Sequence, residues 1–302
     1  KRNPRAIATE IVGGIAPIPG IRAFEIAGGG FINVFFDRAS IPRLLLDDLL
    51  TPRAPLTLGG KVIVEHTNIN PNKAAHIGHL RNAVLGDTLV RLLRHAGHEV
   101  EVQNYIDDTG VQVADLVVGF IHLRAMRTIA AIEAGVPEGQ KFDYFCWDLY
   151  ASVTEFYEAD KTRLSLRAET LRKMEDGEGV EADLARYLAP RIVRCHLATM
   201  DRIGVRYDLL PWESHIIGLK FWAKAFELLK ATGAIKHVKA GDKKGCWIME
   251  LPATGDTAAD EAKIIVRSNG TVTYVGKDIA YQLWKMGLLG ADFRYLPFHT
   301  YP

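Results

Sequence analysis

The chain has 302 residues and a mass of 33.5 kDa, with 48% hydrophobic and 24% charged residues and 13 prolines. That length allows one large domain or a domain with an appendage, burying roughly 75% of the unfolded surface, and excludes a disordered chain or a stapled mini-protein. No run approaches the ~18 apolar residues of a membrane span, so no membrane partner is expected. Lys and Arg number 37 against 36 Asp and Glu, a net charge of +1, so a nucleic-acid partner must meet a local basic patch rather than a global field. The three cysteines, Cys146, Cys195 and Cys246, lack the paired spacing of a zinc site or a disulfide framework, so a reducing, cytoplasmic location and no bound metal are expected. The chain opens on Lys1 with no signal-peptide pattern, and both of its ends are expected to be cut.

Asn3 followed by Pro4 signals a helix start, Ile7, Ile11 and Val12 form a short apolar stripe, and Gly13-Gly14 stops it. Ala23 to Ile26 and Phe31 to Phe36 read as two strands joined by a Gly28-Gly29-Gly30 turn, and a leucine-rich helix follows among the prolines from Pro42 to Pro55. These predict a small α+β appendage over 1–55 and a catalytic domain over 56–302. Lys61 to His66 has the β-branched run of a buried parallel strand; a polar loop follows, then an apolar stripe at Leu85, Leu89, Leu92, Leu93 and Ala96 that Gly97 terminates. With Glu99 to Tyr105 as a second strand, residues 61–105 make a βαβ unit. The predicted fold is therefore α/β, a doubly wound parallel, Rossmann-like sheet with helical insertions. Ligands bind such sheets beyond the carboxyl ends of the strands, which directs attention to Thr67–Ile77.

A mainly helical insertion is expected over about 115–205, its clearest segments being Asp148 to Leu166 and Arg186 to Ile203. Arg186, Arg191, Arg194, Arg202 and Arg206 face one acid, Asp201; the stretch suits either phosphate contact or a solvated helix face. Ile264 to Ser268 and Thr271 to Val275 flank Asn269-Gly270, a strong hairpin signal, and a helix is expected from about Asp278 to Leu289. Gly28-Gly29-Gly30 and Gly241 to Gly245 read as turns rather than nucleotide loops.

His76-Ile77-Gly78-His79 stands where the loop turns into the helix. Free N–H groups and the positive dipole end attract phosphate there, and two imidazoles can donate to oxygens whose charge grows during attack at phosphorus. Gly78 leaves room for a nucleobase or sugar, and Lys73 adds a point charge. Taken alone, the two histidines also suit half of a metal site or plain polar loop positions.

The stretch Val64-Glu65-His66-Thr67-Asn68-Ile69-Asn70-Pro71-Asn72-Lys73-Ala74-Ala75-His76-Ile77-Gly78-His79-Leu80-Arg81 resembles the first signature of class I aminoacyl-tRNA synthetases, and its flanks resemble the arginyl-tRNA synthetase family. The likeness continues through Asn104-Tyr105-Ile106-Asp107-Asp108-Thr109-Gly110-Val111-Gln112 and at Tyr274-Val275-Gly276-Lys277-Asp278, and covers most of residues 1–298. It implies a ligase that activates L-arginine with ATP to arginyl-adenylate and passes the arginyl group to tRNA(Arg), with Mg²⁺ carried by the nucleotide. His76, His79 and Lys73 would be catalytic, and His76, Gly78 and His79 would hold ATP. Glu65, Asn70, Tyr274 and Asp278 would bind arginine, Arg186, Arg191 and Arg194 would contact tRNA, and a monomer is expected. Two carboxylates placed for paired hydrogen bonds also suit the flat donor fork of a guanidinium on physical grounds. Asp278 equally suits a helix N-cap, and Tyr274 a strand-end packing position. The family's second signature loop, related to Lys-Met-Ser-Lys, and its helical anticodon-binding domain do not occur in these residues, which reads as truncation. Trp284-Lys285-Met286-Gly287 lies inside a predicted helix and is not assigned to that loop. Two rival readings are a small-molecule nucleotidylyltransferase with a His-x-Gly-His loop and a non-catalytic protein that binds tRNA or arginine.

Overall fold

The computed structural model describes residues 2–51, 58–218, 221–250 and 262–301. The chain divides into two compact units, Lys1–Thr57 and Leu58–Pro302. No described helix is long and apolar enough to cross a membrane.

In the first unit, helix α1 (Pro4–Gly14) starts as its sequence dictates, with the Asn3 side chain accepting from Arg5 N–H and Pro4 in the first turn. Strands β1 (Ile21–Ala27) and β2 (Phe31–Phe36) form an antiparallel hairpin, followed by α2 (Ile41–Leu50). The turn is glycine for a structural reason at Gly30: φ is +130° and a Cβ would stand 2.8 Å from the Pro4 carbonyl carbon.

The second unit is built on strands β3 (Leu58–Glu65) and β4 (His98–Gln103), which pair in parallel with Val64 opposite Val102 and Glu65 opposite Gln103. Helix α3 (Ile77–His95) connects them, and parallel bridges from Gln103 to Leu209 and from Ile106 to Trp212 extend the sheet beyond β4. Val64, Val102 and Ile106 pack against Ala83 and Val90 of α3 and against Leu197, Met200 and Tyr207.

The face of α3 that packs is not the leucine stripe. Leu85, Leu89 and Leu92 are exposed, and Ala83, Val90 and in part Leu93 turn inward. Close approach of helix to strand selects small residues there: a Cβ on Gly86 would overlap the imidazole of buried His66 on the chain leaving β3.

Helices α4 (Val111–Val118, continued by a π-helical turn at Gly119–Leu123), α5 (Ile129–Gly135), α6 (Phe142–Ala159), α7 (Leu164–Asp176) and α8 (Gly179–Asp201) enclose a second core of Leu116, Phe120, Ile132, Phe145, Leu149, Leu188 and Ile192. Buried Asp115 accepts from Tyr157 Oη at 3.0 Å and from Arg167 Nε and Nη2 at 2.7 and 2.8 Å, pinning α4 to α6 and α7. Helix α8 serves both cores, its last turns supplying Val193, Leu197 and Met200 to the sheet side. The single helix expected over Asp148–Leu166 is broken at Asp160, whose carboxylate caps Thr162 N–H and starts a new turn.

Helices α9 (Glu213–Gly218) and α10 (Phe221–Ala231), the antiparallel strands β5 (Lys236–His237), β6 (Trp247–Met249) and β7 (Lys263–Val266), and helix α11 (Tyr274–Lys285) complete the unit. The expected hairpin partner Thr271–Val275 reduces to one bridge, Val266 to Val272. Thr273 ends it by returning its N–H and hydroxyl to the Ile265 and Ile264 carbonyls, so that α11 begins four residues before Asp278. Asp278 is thus an interior helix residue, and the capping reading is excluded.

Alanine normally stabilises a helix interior by about 1 kcal/mol over glycine. Gly86→Ala is instead expected to destabilise the unit by about 1–3 kcal/mol through overpacking on His66. The midpoint of denaturant unfolding checks this, and a midpoint shifted upward would show that the helix has room.

Candidate active site

The turn leaving β3 is strained. Thr67 and Asn68 have φ of +76° and +46°, unusual for residues with a side chain. Asn68 is held there from three sides: its N–H donates to Asn104 Oδ1 at 2.9 Å, its Oδ1 accepts from Tyr105 N–H at 2.8 Å, and its Nδ2 donates to Glu65 Oε1 at 2.7 Å. Asn68 therefore ties the carboxyl ends of both parallel strands together and orients Glu65.

The same turn delivers the chain to the N-terminus of α3, where His76 and His79 cap each other. Gly78 N–H donates to His76 Nδ1, and His76 N–H donates to His79 Nδ1, both at 3.1 Å. A nitrogen that accepts carries no proton, so each neutral ring keeps its hydrogen on Nε2 as a free donor. The rings stack with centroids 3.8 Å apart and line a cavity of about 180 Å³ with Asn68, Asn70, Asn72, Lys73 and Gln112. Burial, reinforced by the neighbouring His76 and His196 imidazoles and the Lys73 ammonium, lowers His79 to about 4. Gly78 makes room for the His76 ring itself, since a Cβ there would lie 3.0 Å from His76 Cε1.

A second focus is acidic. Glu213, at the start of α9, accepts from Tyr105 Oη at 3.0 Å, from Lys277 Nζ at 2.7 Å and from the Thr109 hydroxyl. Beside it Asp108 receives the Ser214 N–H at 2.9 Å and hydroxyl at 2.6 Å. Burial first, and the Glu213 charge second, push Asp107 up to about 6, with its Oδ1 buried and unpaired. Asp278 interacts with this group through its charge; partial burial and then the Glu213 and Glu65 charges raise it above the usual carboxylate range. Glu65 belongs to the same electrostatic neighbourhood, its Oε2 paired with Lys285, whose ammonium also lies 4.2 Å from the Tyr281 ring centroid. Glu65 and Asp278, far apart in the sequence, thus lie close enough for their charges to act on one another. A larger cavity of about 1410 Å³ borders the cluster at Thr109 and Lys277.

The remaining sequence candidates are placed as follows. Tyr274 opens α11 and is 76% exposed. Lys73 lines the histidine cavity, its ammonium over the Trp147 and Tyr150 rings. Arg186 pairs with Asp183, Arg191 stacks on Phe142 at 4.1 Å and pairs with Glu133, and Arg194 lies over Phe298 at 4.5 Å. Each of these arginines has a local partner. Sequence reasoning missed Glu213, Lys277, Lys285 and the orienting role of Asn68. Lys285 was within reach, because Asp278, Tyr281 and Lys285 follow the three- and four-residue spacing of one helix face; Glu213 had no local signal.

A parallel strand pair with a histidine-bearing turn at its carboxyl end is the arrangement of class I tRNA synthetases. Residues 40–293 match the family model for the catalytic domain of tRNA synthetases class I (R), and residues 1–36 match that for the arginyl tRNA synthetase N terminal domain. The chain belongs to the arginyl-tRNA synthetase family. It is 37% identical to the arginine–tRNA ligases of Thermococcus kodakarensis and Deinococcus radiodurans, over 98% and 99% of its own length. The solved arginyl-tRNA synthetase of Thermus thermophilus superposes with a TM-score of 0.67 at 34% identity, covering 95% of this chain and 45% of that one. The chain spans about half the length of the curated relatives it matches, 47% and 46% for the two ligases. These matches set aside a small-molecule nucleotidylyltransferase.

His196, buried on α8, contacts the Lys73 carbonyl through Nε2 at 2.7 Å and so supports the loop from behind; burial lowers it to about 4, like His79. The unfolded chain protonates these rings near the ordinary histidine value of 6.5 and the folded chain only near 4. Their contribution is intact above pH 6.5 and lost as pH falls between the two values. Tm is expected to fall from pH 7 to pH 5, and His196→Gln, which keeps a donor for the Lys73 carbonyl, should flatten that slope. An equally steep slope in the variant would contradict the assignment.

Proposed function

We propose that this chain carries the activation site of an arginine–tRNA ligase, in which the carboxylate of L-arginine attacks the α-phosphate of ATP in line. A bond forms from the carboxylate oxygen to phosphorus, the bond from phosphorus to the bridging oxygen breaks, and pyrophosphate leaves with the Mg²⁺ that entered on the nucleotide. A hydroxyl of the terminal ribose of tRNA(Arg) then attacks the arginyl carbonyl carbon, an ester bond forms as the acyl–phosphate bond breaks, and AMP and the hydroxyl proton leave. Such chemistry asks the protein mainly to position its substrates and to stabilise charge spread over the phosphoryl oxygens.

The observation that carries this reading is the meeting of two subsites at the carboxyl ends of β3 and β4. One side offers two neutral imidazoles with free Nε2–H donors and the Lys73 ammonium, suited to the triphosphate. The other offers Glu65, Glu213 and Asp278, suited to a guanidinium. Asn70, on the loop between them, suits the amino acid's own polar groups, and Tyr274, at the exposed start of α11, suits a wall that closes over the side chain. The match of residues 1–36 to the N-terminal domain of arginyl-tRNA synthetases supports a tRNA-contacting appendage over about 1–55. The reading also places the protein in the cytoplasm as a monomer. Its three cysteines, none of them paired, suit a reducing compartment.

In the intact protein, Asp278→Ala should raise the KM for arginine by about 100-fold or more, with the KM for ATP little changed. His79→Ala should chiefly lower kcat for adenylate formation, by about 10²-fold, as expected for a contact strengthened in the transition state. Aminoacylation of tRNA with labelled arginine, together with exchange of labelled pyrophosphate into ATP, tests both. An unchanged arginine KM would remove Asp278 from the pocket, and a wild-type protein that neither charges tRNA nor exchanges pyrophosphate would sink the ligase reading in favour of binding without catalysis.

A further inference from the structure

The main chain at Lys73 is fixed from two helices. Its carbonyl contacts His196 Nε2 of α8 at 2.7 Å, and the next N–H, that of Ala74, donates to the Asp143 carbonyl in the first turn of α6 at 3.1 Å. The side chain then reaches across α6, where the ammonium lies 5.4 Å from the Trp147 ring centroid and 5.5 Å from that of Tyr150. Trp147 and Tyr150 are three residues apart and so share one face of the helix. Both rings are held in turn. Trp147 meets His76 edge-on with centroids 6.2 Å apart, while burial and then the charge of nearby Asp115 raise the Tyr150 hydroxyl above its ordinary value. Among the described residues no carboxylate pairs with Lys73.

A carboxylate that held this ammonium would also cancel its charge. A ring face attracts a cation through its quadrupole and leaves the charge whole. We propose that Trp147 and Tyr150 are positioning residues that clamp the Lys73 ammonium at the histidine cavity without neutralising it, so that its full charge meets the triphosphate. The assignment rests on the function proposed above, in which Lys73 faces the phosphates, and adds the two side chains that set its reach. Geometry carries it: the backbone of Lys73 is already fixed by His196 and Asp143, so the rings decide only where the ammonium goes. Trp147 contacts both Lys73 and His76, and both line the same cavity, so one ring registers the cation against an imidazole donor.

The test uses the intact protein, with tRNA(Arg) present, and replaces Trp147 site-specifically by mono-, di- and trifluorotryptophan. Each fluorine draws electron density from the ring face and weakens its hold on a cation, while the ring stays nearly the same size and keeps any packing role. In pyrophosphate exchange, kcat/KM for ATP should fall stepwise along the series, by about fivefold for the trifluoro ring, with the KM for arginine unchanged. Tyr150→Leu should lower the same ratio by a similar factor, and Tyr150→Phe should restore it. In a Lys73→Met background, where no cation remains to be held, the fluorine series should be flat. A flat series in a protein that still carries Lys73, or a fall that persists with Lys73→Met, would overturn the clamp. A stepwise rise would do the same, by showing that the rings hold the ammonium back from the nucleotide. A wild type that exchanges no pyrophosphate would overturn the proposed function and the clamp with it, a result distinct from a flat series in an active protein.

Discussion

Five carboxylates, Glu65, Asp107, Asp108, Glu213 and Asp278, converge beyond the ends of two parallel strands, and bringing like charges together away from water is costly. The architecture around them answers that cost. Lys277 and Lys285 come from α11, and Tyr105, Thr109 and Ser214 supply hydroxyls. Two ammoniums against five carboxylates leave the group short of positive charge, and burial first, with the Glu213 charge second, raises Asp107 and Asp278. A site in that condition gains most from a cationic ligand with several donors, which is why a guanidinium is the ligand proposed for it.

The histidine turn, proposed as the phosphate side, rests on a different device. Neutral histidines are ordinarily ambiguous about which nitrogen donates, but the reciprocal cap at the start of α3 removes the ambiguity by spending both Nδ1 atoms on backbone N–H groups. Burial above all, with the neighbouring imidazoles and Lys73 behind it, keeps His79 uncharged, which leaves it an oriented hydrogen-bond donor rather than a point charge. Behind the loop, His196 on the Lys73 carbonyl links the site to the helical core.

Much of this was legible in the residues and some was not. Strand β3, its turn and the helix entry follow from a β-branched run, a polar loop and a capping position, all local signals. The packed face of α3 was misread because hydrophobicity pointed to Leu85, Leu89 and Leu92, whereas close packing on His66 demanded Gly86 and Ala83. The strand expected at Thr271–Val275 became the start of α11 because Thr273 returned its hydrogen bonds to β7, a tertiary choice that propensity does not encode. Glu65 and Asp278 were expected together as a guanidinium pair, whereas Glu213 joins their neighbourhood through contacts with Tyr105 and Thr109 that span more than a hundred residues. Long-range placement of a polar residue leaves no periodic trace in a sequence.

The central claim is that uncompensated carboxylates recognise a planar cation. Calorimetric titration of the intact protein with L-arginine and with L-citrulline, which has the same shape but carries a neutral urea oxygen in place of one donor nitrogen, tests it directly. Arginine should bind at least about 100-fold more tightly, because citrulline would leave buried acceptors facing another acceptor. Equal affinities would show that the acids at the strand ends serve the fold and not the ligand.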